Sequence, residues 1–170
     1  ARSETYPKPG ALPVVKPGKL NTDLARRDFT INAMAVILSP EQYGNIIDPF
    51  NGQVDLTKKR IRILHDRSFI DDATRIWRAI RYEQRLDFTI EPGTFSLLEQ
   101  HRSMLATISR DRIRHELELV LKEDKPEKAL RRATELGVLE DIHPGLKADE
   151  WLSRKFTEAR KNSAPEKPAA

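Results

Sequence analysis

At 170 residues, 38% of them hydrophobic, the chain is long enough for one ordinary domain or two small ones sharing a core. Lys and Arg number 30 against 26 Asp and Glu, and this net charge of +4 permits a polyanionic partner such as RNA without demanding one. The absence of cysteine excludes disulfides, thiolate zinc sites and cysteine nucleophiles, and no apolar run approaches membrane-spanning length or a signal-peptide core, so the expectation is a soluble, cytoplasmic protein.

In chain order, Ala1 to Lys19 carries Pro7, Pro9, Pro13 and Pro17 with Gly10 and Gly18, which predicts a loop around at most one short strand. Ala1-Arg2-Ser3-Glu4-Thr5-Tyr6 reads as the inside of a strand, with no initiator Met and no capping signal, so a preceding segment is expected. Asn21 to Leu64 reads as α/β material. Thr22 or Asp23 caps a short helix through Met34, Ala35 to Leu38 is strand-like, and Asn45 to Asp48 forms a second strand ending in a turn at Pro49 and Gly52. Arg60 to Leu64 alternates basic and apolar residues as a third strand.

From Arg67 onward the pattern is helical. Ser68 or Asp66 precedes a long helix to Leu86, Pro92 opens another to Leu105, and Ser109 caps a third to Lys122. Pro126 opens a fourth that stops at Gly137, a fifth runs from Ala148 to Lys161, and Ser163 to Ala170 reads as a flexible tail. The expected fold class is α+β, mainly α.

The helix from Ser68 carries the strongest signal. On a 3.6-residue wheel Phe69, Ala73, Ile76, Trp77 and Ile80 face a core, while Asp71, Asp72, Arg75, Arg78, Arg81 and Arg85 take the other side. A solvated face is the bland reading of such a side. Against it, every cation there is Arg, whose planar fork suits phosphates and base edges. Asp72, Arg75, Arg78 and Arg81 also follow one i+3 ridge rising roughly 13 Å, about the reach of an extended nucleoside triphosphate. A carboxylate beside a guanidinium complements an edge showing an amino group beside a ring nitrogen, which cytosine and adenine share. Uracil and guanine would set a carbonyl against Asp72, a mismatch of roughly 1–3 kcal/mol.

Several motifs carry a family resemblance. Arg26-Arg27-Asp28-Phe29-Thr30-Ile31-Asn32-Ala33-Met34-Ala35 closely resembles the signature of class II tRNA nucleotidyltransferases, the CCA-adding enzymes and bacterial poly(A) polymerases of the DNA polymerase β superfamily. Ala1 to Tyr6 with Pro9 to Pro13 resembles the segment leading to that signature. Ile47-Asp48-Pro49-Phe50-Asn51-Gly52-Gln53-Val54-Asp55-Leu56 is similar to the hinge motif, Asp71-Asp72-Ala73-Thr74-Arg75 to the base-reading E-D-x-x-R motif, and Ser109 to Leu117 to the motif buttressing the reading helix.

The resemblance implies roles. Arg27 would contact the nucleotide, Asp28 and Asn32 support the ribose and loop geometry, Asp72 and Arg75 read the base, and Arg78 and Arg81 bind the triphosphate. It implies residues 1–64 as the last part of a nucleotidyltransferase head, 65–122 as a helical neck, 123–162 as the start of an RNA-binding body and 163–170 as the tail. Arg110, Arg112, Arg114, Arg131 and Arg132 are candidates to line an RNA groove, with a solvated face explaining them nearly as well.

This sequence departs from the family pattern at Asp71 (usually Glu), Ala73 (usually Pro) and Asn51 (usually Gly). The family's paired carboxylates, which hold two Mg2+ ions for phosphoryl transfer, match nothing here, so no catalytic residue and no metal ligand is assigned. Histidines 65, 101, 115 and 143 lack metal-ligand spacing and read as structural or surface, Trp77 reads as core, and Trp151 as either core or stacking platform. The expected function is ATP and CTP selection within an enzyme adding C or A to the tRNA 3′ end. The alternatives are a poly(A) polymerase, a non-catalytic nucleotide- or RNA-binding module, or a half-enzyme completed in trans.

Overall fold

The computed structural model describes residues 1–162, so the tail expected at 163–170 lies outside the described residues. Two strands, β1 (Arg2–Thr5) and β2 (Val14–Pro17), pair antiparallel with Arg2 opposite Pro17 and Thr5 opposite Val14. The proline-rich stretch thus closes a hairpin instead of wrapping one strand, because its prolines fall in the connection and at the strand end where no ladder donor is needed.

Helix α1 (Leu20–Ala25) stops well short of the expected Met34. Asp28 takes the chain out of the helix: its Oδ1 accepts from the Phe29 N–H at 2.9 Å and from Asn32 Nδ2 at 3.1 Å, a local alternative to helical hydrogen bonding. Phe29 is thereby extended, fully buried and bridged to Ile63, and a 3-10 turn follows at Thr30–Asn32. Strands β3 (Ala35–Val36) and β4 (Ile46–Ile47) pair antiparallel.

Where the sequence suggested only a turn after Pro49, a short helix α2 (Gly52–Thr57) forms. Asp48 caps it, accepting from the N–H groups of Gly52 (2.7 Å) and Gln53 (2.9 Å). A Cβ at Gly52 would run into the Thr30 carbonyl oxygen, so only glycine lets α2 approach the Thr30–Asn32 turn. Asp55 ties the two together, accepting from the Thr30 hydroxyl at 2.7 Å and from Arg62 Nη2 at 2.9 Å. Strand β5 (Arg60–Ile61) pairs parallel with an unexpected β6 (Thr89–Ile90).

The long helix expected from Ser68 to Leu86 is two helices, α3 (Ser68–Asp71) and α4 (Thr74–Leu86). Asp72 sits between them in extended geometry (φ −145°, ψ 97°), and its Oδ1 accepts from the Thr74 N–H at 3.1 Å and hydroxyl at 2.6 Å. The carboxylate caps α4 in place of continuing α3, the usual preference of Asp.

Helix α5 (Pro92–His101) passes into a 3-10 segment at Arg102–Thr107, followed by α6 (Arg110–Leu121), α7 (Pro126–Glu135) and α8 (Glu150–Asn162). Gly137, in left-handed geometry at φ +70°, ends the α7 turn as its position predicts. Helix α4 is the axis of the molecule: Ile76, Trp77, Ala79 and Ile80 are fully buried and join Phe29, Ile61, Phe69, Leu98 and Val120 in one core. Trp77 is therefore a core residue, and Trp151 is 58% exposed on α8.

Candidate functional site

The turn after α1, the α3–α4 junction and the start of α6 converge with the β1–β2 hairpin on one open cavity of about 780 Å³. Six of the seven residues singled out for nucleotide binding line it: Arg27, Asp28, Asn32, Asp72, Arg75 and Arg78. The seventh, Arg81, does not. It is 5% exposed, turned away from the cavity, and its Nη1 bonds Glu123 Oε1 at 3.3 Å beyond the end of α6. An i+3 ridge winds left-handed about the helix by about 60° per step, and by Arg81 it has carried the side chain under the α6–α7 turn.

The cavity's carboxylates are set by cross-element bonds. Asp28 Oδ2 accepts from Arg78 Nε at 2.8 Å and Nη2 at 2.5 Å, joining residues fifty apart through one carboxylate oxygen. Burial disfavours the Arg78 charge, but Asp28 outweighs it and holds the guanidinium pKa above its ordinary value. Asn32 holds Asp28, and its own carbonyl oxygen accepts from Arg27 Nη1 at 2.8 Å. Arg27 is further fixed by Asp23 at 3.3 Å. The Arg2 N–H, ahead of the Arg26 guanidinium, keeps Asp23 well below the usual carboxylate range.

At the head of α4, Arg75 is 4% exposed and donates from Nη1 to Ser68 Oγ (2.7 Å) and from Nη2 to the Arg26 carbonyl oxygen (2.8 Å). Arg112 Nη2 donates to Asp72 Oδ1 at 2.8 Å. These bonds leave Asp72 Oδ2 and Arg75 Nε without a partner among the described residues, an acceptor and a donor on two residues that both line the cavity.

The five arginines expected along an RNA groove separate. Arg112 belongs to the cavity, through Asp72. Arg132 is bound inward, its Nε donating to buried Glu83 Oε2 at 2.8 Å. Arg110, Arg114 and Arg131 are exposed, with Arg114 on Glu118 (2.9 Å) and Arg131 on Ser153 (3.0 Å). Arg112 and Arg132 thus each meet a carboxylate from another part of the chain.

Cavity residues missed in the sequence came with readable periods. Arg2, Glu4 and Tyr6 alternate along β1 and so share one face. Burial pushes the Tyr6 hydroxyl up to about 12, with Glu4 accepting its proton at 3.2 Å. Arg112, His115 and Glu116 line the cavity at i, i+3 and i+4 of α6. Tyr82, at i+4 from Arg78, stacks edge-on against Phe29 at 5.8 Å and carries the Arg78 guanidinium 5.6 Å over its ring.

Magnesium does not fit this wall. Asp28, Asp72 and Glu4 each already meet a guanidinium, at Arg78, Arg112 and Arg26, which leaves only Asp111 and Glu116 of the cavity's carboxylates outside an ion pair among the described residues. Among the described residues, no group of three or more acidic or histidine side chains could hold a metal.

Two family profiles match the chain: one described as Poly A polymerase head domain over residues 1–62, and one described as Probable RNA and SrmB- binding site of polymerase A over residues 87–150. An A-adding tRNA nucleotidyltransferase of Aquifex aeolicus is 45% identical over 163 residues, 95% of this chain and 20% of that protein. A solved apo form of CCA-adding enzyme superposes with a TM-score of 0.86 at 41% identity, covering 95% of this chain and 39% of its own. The chain belongs to the tRNA nucleotidyltransferase and poly(A) polymerase family. A further family structure, CCA-adding enzyme with ATP, shares 44% identity at a TM-score of 0.75 over 83% of this chain and 34% of its own. The chain thus spans about a fifth of the length of its Aquifex relative. No helix of the described residues is long and apolar enough to cross a membrane.

Proposed function

We propose that this chain supplies nucleotide selection to a cytoplasmic, template-independent enzyme that adds C or A to the tRNA 3′ end. The observation that carries the reading is the pair of unspent groups at the start of α4, Asp72 Oδ2, an acceptor, and Arg75 Nε, a donor, on residues that line the same cavity. Together they complement the amino group and ring nitrogen of cytosine and adenine. Arg112 and Thr74 saturate Asp72 Oδ1, and Ser68 with the Arg26 carbonyl fixes Arg75, so the pair is rigid before a base arrives.

Arg27 and Arg78 then face the triphosphate from opposite sides, one from the turn after α1 and the other from α4, while Asp28 and Asn32 hold the turn at ribose height. In this reading residues 1–64 act as part of the head, 65–122 as the neck and 123–162 as the start of an RNA-contacting body. The exposed Arg110, Arg114 and Arg131 remain the candidates for RNA. Magnesium would supply charge neutralisation at the transferred phosphate in the family's chemistry. Glu4, Asp28 and Asp72 of this cavity are spent on arginines, and no step here runs through the ion.

Calorimetric binding of ATP, CTP, GTP and UTP, with and without magnesium, tests the reading. ATP and CTP should bind in preference, and Asp72→Ala should erase the preference while retaining binding. Equal affinity of the wild-type chain for all four nucleotides would remove Asp72 and Arg75 from base reading.

A further inference from the structure

We propose that Glu116 is a further nucleotide-contacting residue of this cavity, acting as a neutral acid that donates its proton to a phosphate oxygen of a bound nucleoside triphosphate. The inference rests on the reading of the cavity as a nucleotide site. Glu4, Asp28 and Asp72 each bond a guanidinium, whereas Glu116, on the same wall and 6% exposed, makes no hydrogen bond or ion pair among the described residues. Its Oε2 is wholly buried and unpartnered. A carboxylate desolvated without a bonded donor is costly, and binding a proton removes that cost.

The surroundings leave room for this. From α4, Arg78 and Arg81 lie near, but Asp28 and Glu123 offset their charges; between α3 and α4, Asp72 is held by Arg112; on α6 itself, His115 is the adjacent titratable group. From α7, Arg132 is taken by Glu83. Burial drives the Glu116 pKa up, with Arg78 and Arg81 pulling it back. As an anion Glu116 would repel a polyanionic triphosphate beside Arg78. As an acid it offers a short, charge-assisted O–H to phosphate. Nucleotide binding then takes up a proton: affinity is full at low pH and falls as pH rises through the pKa of the bound state.

The test is calorimetry of ATP with the full chain in two buffers of different ionisation enthalpy, from about pH 5.5 to 8. The wild type should take up more protons than Glu116→Gln, by up to about one, and Glu116→Gln should lose a pH dependence of about tenfold in Kd. His115→Asn should retain both. A carboxyl NMR titration of Glu116 in the wild-type chain needs no variant, and ATP should raise its pKa by about one unit or more. Equal proton uptake in wild type and Glu116→Gln, uptake lost in His115→Asn instead, or a Glu116 titration that ATP leaves unmoved overturns the inference. ATP binding without the linkage defeats Glu116 alone, whereas no nucleotide binding by the wild type defeats the reading of the cavity and this inference with it.

Discussion

The first turns of α4 and its last turns carry the same residue type, on the same ridge, into different surroundings. Arg75 and Arg78 face a cavity whose opposite wall is the turn after α1, and their partners are a serine, a backbone carbonyl and Asp28. Arg81, one turn later, is sealed beneath the α6–α7 turn against Glu123, and Arg85 joins the same carboxylate from the outside at 2.8 Å. Glu83 repeats the inward pattern, receiving Arg132 from α7 and the Ile90 N–H from β6. One end of α4 presents charge to a cavity, and the other uses charge to fasten helices. The difference arises from what packs over each turn, since the intrinsic chemistry of the arginines is identical.

The largest effect should come from the fastening end. Arg81→Ala leaves Glu123 with only the half-exposed Arg85 and opens a void under the α6–α7 turn, so thermal unfolding should show a loss of about 3 kcal/mol. Nucleotide affinity of the protein that remains folded should stay within about twofold, since Arg81 does not reach the cavity. A loss of affinity without a loss of stability would reverse the division of α4.

Arg78→Ala should lower affinity as well as stability, since it also strips buried Asp28 of its partner. Affinity for all four nucleotides should fall together by about thirtyfold, or about 2 kcal/mol, as expected of a lost charge-assisted contact. Measured discrimination between ATP and GTP should not change. Asp72→Ala is the complementary case, with discrimination reduced about tenfold and affinity for the favoured nucleotides much less affected. If the Asp72 and Arg78 variants lose affinity and selectivity in parallel, the base-reading and phosphate-binding roles are not separate.

The smallest effect is a pH dependence at the fastening end. Burial raises the Glu123 pKa, but Arg85 and Arg81 outweigh it and hold the carboxyl below the ordinary glutamate range. A depressed acid contributes stability that is present above the usual pKa of 4.5 and is lost as pH falls through its folded value. Glu123→Gln should therefore flatten the acid limb of the stability curve by about 1 kcal/mol or less, because Arg85 is solvent-screened. An unchanged limb would mean that Glu123 titrates alike in the folded and unfolded chains.

Much of the cavity was legible because motif and period coincided. Arg75 and Arg78 could be placed together by helical spacing, Asp72 was grouped with them by the same spacing although it caps α4 from outside the helix, and Arg27, Asp28 and Asn32 were placed by resemblance. Arg2, Glu4 and Tyr6, and likewise Arg112, His115 and Glu116, follow periods of two and of three to four, but nothing in a single sequence says which face of a strand or helix looks into a cavity. The helix that was expected to run unbroken from Ser68 to Leu86 failed for a local reason, the capping carboxylate of Asp72, and α1 ended early through the same chemistry at Asp28.

By itself the sequence determined the mainly helical layout after Arg67, the apolar stripe of α4 that became the core, and the arginine row beside it, because these depend on spacing along one helix. The tertiary structure alone decided which arginines meet solvent and which meet a carboxylate: Arg78 with Asp28, Arg112 with Asp72, Arg81 with Glu123 and Arg132 with Glu83. A guanidinium pairs with whatever acceptor is brought within about 3 Å of it, and that proximity between residues some forty or fifty positions apart is a property of helix packing, not of any local pattern.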